Sequence, residues 1–179
     1  MALTLIKEDG TGLADANSYA SVADGDTYFD GHLYATQWTA APTANKEKAL
    51  VFATRLIDAE RQFKGVKSTA TQALQWPRDN CPDPDAAAES GGSVAVLAHD
   101  KVPPAIIKAT CELAKELLLA DRTTAPPGEG ILATWTDTGG TKYNKSDKRQ
   151  VLPYLVQSLL AKYGASVRRG NSVVRLVRT

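Results

Sequence analysis

Two windows of helical apolar periodicity, each fenced by proline, constrain this chain more than any other feature. In the first, Thr43 follows Pro42 and is placed to cap a helix. Ala49, Phe52, Ala53, Leu56 and Ile57 recur along one side of it, with Glu47, Lys48, Arg55 and Asp58 elsewhere around the wheel, and it ends near 63–65. In the second, Pro103 and Pro104 open a helix whose first turn tolerates proline. Ile106, Ala109, Leu113, Leu117 and Ala120 line one face, Lys108 and Glu112 flank it at i,i+4 spacing, and Pro126-Pro127-Gly128 closes it. Leu56 and Leu113 are therefore expected between the two helices.

The other elements are shorter. Ser21 with Asp24 three residues on reads as a capping box for a weak helix over about 22–32, with Tyr28, Phe29 and Leu33 as its apolar side and Gly25 and Gly31 weakening it. Pro153 and Gly164 bracket a last helix over about 153–163. The run "LTLI" near the N-terminus is β-like, and "EDGTGLADANS" after it is turn chemistry. "ILATWT" at 131–136 and the segment after Gly139-Gly140 suggest a hairpin, and "NSVVRLVRT" alternates like a strand that needs a sheet to join. The expected fold is mainly α: a small bundle of three to four helices with long loops, a candidate β-hairpin and an extended C-terminal arm. One domain spans 1–179, with a helical core at about 18–122 and the hairpin, last helix and basic arm at about 123–179. The loops at 64–102 and 122–150 are long enough to imply binding, or ordering within an assembly.

Charge is polarised along the chain. Residues 1–139 hold 12 Lys/Arg and 19 Asp/Glu, a balance of −7, whereas residues 140–179 hold 9 Lys/Arg and one Asp, a balance of +8. Lys142, Lys145, Lys148, Arg149, Arg168, Arg169, Arg175 and Arg178 carry most of that excess, which suits an acidic partner or DNA. No apolar run approaches the roughly 18 residues of a membrane span. "MALTLIKEDG" does not read as a secretory signal, and Cys81 and Cys111 are expected to be reduced thiols in a cytosolic setting.

Nothing in the chain assembles into catalytic or cofactor chemistry. His32 and His99 lack a neighbouring nucleophile and read as surface residues. The two cysteines form no C-x-x-C, "GTGLAD" has Asp15 in place of the third glycine of a dinucleotide fingerprint, and "GASVRRGNS" has Asn171 in place of a P-loop lysine. Nothing visibly holds Asp83 and Asp85 at a working geometry. The expectation is a protein that is not an enzyme and needs no cofactor or metal.

Four segments in order, "EDGTGLADANSYASVADGDTYF" (8–29), "EKALVFATRLIDAERQFKG" (47–65), "STATQALQWPRD" (68–79) and "VPPAIIKATCELAKELL" (102–118), carry a family resemblance over about 5–120. The chain resembles the tailed-bacteriophage head–tail connector proteins often labelled "DnaT-like single-stranded-DNA-binding". That label contains two functions. The first is an adaptor subunit at the virion neck. The resemblance then implies a ring of about twelve copies below the portal protein, contact with a downstream tail or neck protein, non-specific contact with packaged DNA, and no membrane. The second is a replication protein holding single strands. Such proteins use basic grooves with aromatic stacking platforms. Here the family-like region is acidic, Trp38, Trp76 and Trp135 are scattered, and Tyr154 and Tyr163 are expected in the core of the last helix. The adaptor is therefore the favoured expectation.

In "QALQWPRDNCPDPD" (72–85), Pro77 keeps Trp76 out of helical geometry, so an aromatic sits on a stiff, extended segment. One reading makes Trp76, Pro77 and Arg78 an anchor on a neighbouring subunit, joined by Val173, Val174, Leu176 and Val177 of the unpaired terminal strand. The other folds Trp76 back onto its own bundle, with Arg78 on a local carboxylate.

Overall fold

The computed structural model describes residues 3–86, 95–125, 133–136, 139–142 and 149–167. In chain order its elements are α1 (Val22–Phe29), α2 (Thr36–Thr39), α3 (Thr43–Glu60), β1 (Arg61–Phe63), β2 (Val66–Lys67), β3 (Arg78–Asp79), α4 (Pro104–Leu119), β4 (Ala133–Thr136), β5 (Gly139–Lys142), α5 (Tyr154–Ala161) and β6 (Gly164–Ser166). Five helices and three two-stranded antiparallel sheets, β1–β6, β2–β3 and β4–β5, make up the described fold. The mainly helical expectation holds at that level, with one helix more than expected.

Helix α4 is central because its buried face is the longest: Ile106, Ala109, Thr110, Cys111, Leu113 and Ala114 are all inaccessible, and α1, α2, α3 and α5 all pack on it. Its start at Pro104 follows the proline rule, with Pro103 as N-cap. Helix α3 begins at Thr43, which is its first residue and not the expected cap: Pro42 is the N-cap and no side chain caps the helix. Its buried stripe runs through Leu50, Ala53, Thr54 and Ile57. The hydroxyl of Thr54 accepts the Tyr19 N–H at 3.2 Å, which lets a polar residue occupy the centre of the stripe. Phe52 is turned off it, 37% exposed, and Leu56 is only partly buried. The expected face was displaced toward Phe52.

The capping box of α1 forms as expected: Ser21 Oγ accepts from Asp24 N at 3.1 Å and Asp24 Oδ2 accepts from Ser21 N at 2.7 Å. The helix stops at Phe29, and Leu33 is 91% exposed. The apolar partner of α1 is Trp38, presented by the single turn α2, 5.2 Å from the Phe29 ring. Gly25 makes room for it, since a Cβ there would lie 2.3 Å from the Trp38 ring. The glycine that weakens the helix in sequence terms is what lets an indole pack on it.

Residues expected to end α3 instead form β1, which pairs with β6 in the register Arg61↔Ser166, Gln62↔Ala165, Phe63↔Gly164. Strand β6 follows α5 directly, so the last helix is tied back to the end of α3. Of the expected hairpin, the antiparallel pair β4–β5 is present, with Trp135 opposite Gly140. "LTLI" forms no strand; a single parallel bridge, Lys7 to Ser18, stands in its place. "EDGTGLADANS" wraps around Glu8, whose buried carboxylate accepts from Gly10 N, Gly12 N and Leu13 N at 2.9–3.0 Å.

The loop carrying Trp76 turns inward. Trp76 is fully buried, edge-on to Phe63 and Tyr163 at centroid distances of 5.6 and 6.0 Å, and the Trp76–Pro77 peptide is cis. Tyr19 Oη fixes the loop by accepting from Gln75 N (3.0 Å) and Trp76 N (3.2 Å) while donating to Asp58 (2.5 Å). Burial and the adjoining Asp58 carboxylate push the Tyr19 pKa well up, so the hydroxyl keeps its proton. Gln72 adds bonds to Leu74 O and Pro77 O at 2.9 and 3.0 Å. These bonds satisfy backbone groups of the Gln72–Pro77 stretch from within the chain. Trp76 and Pro77 are buried in their own subunit, and the anchor reading of "WPR" does not hold.

Candidate nucleic-acid interface

Two clefts open on either side of the α3–β1 junction, and each is lined by two arginines. The first, about 390 Å³, is lined by Arg61, Gln62, Phe63, Gly65, Gln75, Arg78 and Val167. Arg78 is 8% exposed and all five of its N–H donors reach oxygen without meeting a carboxylate. Nε donates to Lys64 O (2.7 Å), Nη1 to Gln75 O and Oε1 (2.9 and 3.1 Å), and Nη2 to Gly65 O and Phe63 O (2.7 and 3.4 Å). Gly65 reaches this position through a positive φ of 73°, and a Cβ there would lie 2.2 Å from Asp79 O. The fold-back reading of Arg78 is thus corrected in one respect: its hydrogen bonds go to carbonyl and amide oxygens, while the nearby Asp58 carboxylate interacts with it through charge alone.

Arg61 is 6% exposed, and its Nη2 donates to Gln157 O at 3.1 Å. Its Nε–H is buried and has no partner. Burial draws the pKa of both Arg61 and Arg78 below the usual arginine value, with Glu60 opposing the shift at Arg61. Both guanidinium groups remain charged, because arginine starts so far above neutrality.

The second cleft, about 360 Å³, is lined by Leu56, Ala59, Glu60, Arg122, Thr123, Thr124, Ala125, Arg149 and Val151. Its arginines form a reciprocal clasp. Arg122 donates to Val151 O and Gln150 O, both at 2.9 Å, while Arg149 Nη2 donates to Asp121 O (2.5 Å) and Thr124 O (2.9 Å). Arg122 also meets Glu116 at 3.3 Å. Burial lowers its pKa first, Glu116 opposes that shift, and the nearby positive charge of Arg149 lowers it further. Glu116 offsets part of the Arg122 charge and Glu60 also lines the cleft, so the excess positive charge there is small.

Exposed rings stand beside this cleft in the chain. Phe52 lies one helical turn before Leu56, and Tyr154, 86% exposed, opens α5 five residues after Arg149. Tyr163 is in the core as expected, but Tyr154 is not. Trp38 and Trp76 are core residues, so their scatter along the sequence carries no information about stacking platforms.

Of the residues singled out from sequence, the fold brings Arg78 and Arg149 to these clefts. Lys142 ends β5. Lys145, Lys148, Arg168, Arg169, Arg175, Arg178, Val173, Val174, Leu176 and Val177 lie outside the described residues. Sequence reasoning missed Arg61 and Arg122, each a lone arginine just past a helix end. No local pattern joins positions 61, 78, 122 and 149. His99 is exposed, whereas His32 is half-buried, 3.6 Å from Glu112, a buried carboxylate that Lys115 also pairs at 2.8 Å. Among the described residues no cluster of His, Cys, Asp or Glu is arranged to hold a metal ion, and no helix is long and apolar enough to cross a membrane. Cys81 and Cys111 are free and buried.

No curated protein and no solved structure matches the chain. A family described as "Putative DnaT-like ssDNA binding protein" matches residues 3–179, extending the similarity beyond the stretch of about 5–120 that carries the resemblance in the sequence. That match overturns the head–tail adaptor expectation, because it offers single-stranded-DNA binding and gives no support to virion, portal-binding or ring roles. The adaptor preference rested on net charge by segment and on tryptophan scatter, and neither quantity reports which side chains the fold gathers. The chain belongs to the putative DnaT-like single-stranded-DNA-binding family.

Proposed function

We propose that this protein binds single-stranded DNA along the face that carries the two arginine clefts, contacting mainly backbone phosphates. One observation carries the reading: four arginines distant in sequence are gathered in pairs, Arg61 with Arg78 and Arg122 with Arg149, into two clefts whose linings include the neighbouring residues Glu60 and Arg61. Phosphate contacts position a strand without reading its sequence. Exposed Lys64 adds a further cation between two residues of the first cleft, and Arg168 and Arg169 follow Val167 directly in the sequence. Phe52 and Tyr154 offer ring faces on which bases stack, an interaction of about 1–3 kcal/mol per base and tolerant of sequence. The acidic balance of residues 1–139 does not oppose this, because screening confines each charge to about 8–10 Å at working salt.

The test is fluorescence anisotropy of labelled oligothymidylate and oligoadenylate across a salt series. If about four cations engage phosphates, log K falls against log salt with a slope of about −3, the single-strand coefficient being roughly −0.7 per phosphate. Lys64→Glu weakens both oligonucleotides alike, and Tyr154→Ala weakens binding with little change in slope. A methylphosphonate oligothymidylate, which lacks backbone charge, loses most of the affinity. Salt-independent binding, or none at physiological salt, refutes the proposal.

A further inference from the structure

The outward face of α3 is open along the helix: Lys48, Phe52, Arg55 and Ala59 are all exposed. At 3.6 residues per turn these four positions fall within about 60° of arc. Lys48 and Arg55 therefore bracket Phe52, one a turn before it and the other a turn after, with about 10 Å of helix rise between them. Among the described residues neither cation has a hydrogen-bond or ion-pair partner, unlike the clasped arginines of the two clefts. The helix turns Glu47 and Asp58 about 80–100° away from Lys48, both on one flank. Asp58 is moreover engaged by Tyr19 and Gln75. On the opposite flank Glu60 lines the Arg122–Arg149 cleft.

A single exposed ring needs no explanation by itself. Two uncommitted cations on either side of it are a second observation, and the stripe leads through Ala59 straight into the cleft that Leu56 and Ala59 line. Phosphates and bases alternate along a single strand, and cation, ring and cation alternate along this face. A duplex keeps its base faces stacked inside, so a ring placed here engages only an unpaired base. We infer that the outward face of α3 is a stacking subsite for single-stranded DNA, in which the Phe52 ring holds one base while Lys48 and Arg55 hold the phosphates beside it. The inference rests on the proposed function and names the element along which the strand leaves the cleft.

Phe52→Trp reports on the contact directly. Trp38 and Trp76 are fully buried, so quenching beyond that of wild type reads position 52. Oligothymidylate is expected to quench it, whereas an abasic oligonucleotide of the same length, which offers phosphates without bases, is not. In anisotropy, Lys48→Gln and Arg55→Gln should each reduce the salt slope by about 0.7. Phe52→Leu keeps apolar bulk and removes the ring. It should weaken oligothymidylate roughly tenfold with the slope unchanged, and leave the abasic strand's affinity at the wild-type value. If oligothymidylate binds, but position 52 is not quenched and the three variants keep wild-type affinity and slope, the subsite is wrong and strand binding stands. If wild type binds no oligothymidylate, the subsite and the functional proposal both fail. Sedimentation equilibrium checks for a competing occupant. A dimer that is lost in Phe52→Leu, with strand affinity unchanged, overturns the strand in favour of a second copy on this face.

Discussion

Trp76→Ala should be the most damaging single change in the loop between β2 and α4. The indole is fully buried and makes two edge-on ring contacts, to Phe63 and Tyr163. Truncating a buried tryptophan to alanine costs about 3–5 kcal/mol, within which the two ring pairs account for about 0.5–1.5 kcal/mol each. At this chain length that is a fall in Tm of about 6–20 °C. Trp76→Phe separates packing from polarity. It keeps a ring opposite Phe63 and Tyr163 and removes the indole N–H, which is buried without a partner. Relief of that unpaired donor, about 1–3 kcal/mol, offsets most of the lost contact, so the net change is within about 1 kcal/mol. Urea denaturation followed by far-UV circular dichroism measures both variants without relying on tryptophan emission. An alanine variant within about 1 kcal/mol of wild type, or a phenylalanine variant as damaged as the alanine one, refutes the reasoning.

Two further perturbations follow from the core. Leu113→Ala, at a fully buried site, should cost about 2–5 kcal/mol, and Leu56→Ala, only partly buried, about 1–2 kcal/mol; thermal melts that rank them in reverse would misplace the α3–α4 contact. Burial raises the Asp58 pKa from 3.8 to about 6, against the opposing bonds from Tyr19 and Gln75, so the folded state binds this proton more tightly than the unfolded chain. Asp58 therefore weakens the fold above pH 6, by about 3 kcal/mol at neutral pH, and that penalty is relieved as pH falls through 6 toward 4. Urea melts at pH 7 and pH 5 should show wild type gaining stability relative to Asp58→Asn on acidification, and a difference independent of pH would refute the shift.

The amino-acid sequence by itself determined where helices begin. Pro42, Pro103 and Pro153 stand as N-caps of α3, α4 and α5, where a proline's fixed φ and missing N–H cost no intrahelical bond, and Ser21 with Asp24 caps α1. These are interactions between residues a few positions apart, and a linear reading contains them. The ends and faces of the same helices were decided by the tertiary structure. Helix α3 stops at Glu60 because β6, more than a hundred positions on, offers Arg61–Phe63 a strand to pair with. Its buried face includes Thr54 because Tyr19 supplies a hydrogen bond there. Trp76 goes inward because Phe63, Tyr163 and the Tyr19 hydroxyl converge on it. The candidate site is the extreme case. Arg61, Arg78, Arg122 and Arg149 are single residues far apart along the chain, and oxygen acceptors brought together by folding hold them in two clefts. Local rules depend on spacing along the backbone, while a charged cleft depends on distance in space, and the fold alone converts one into the other.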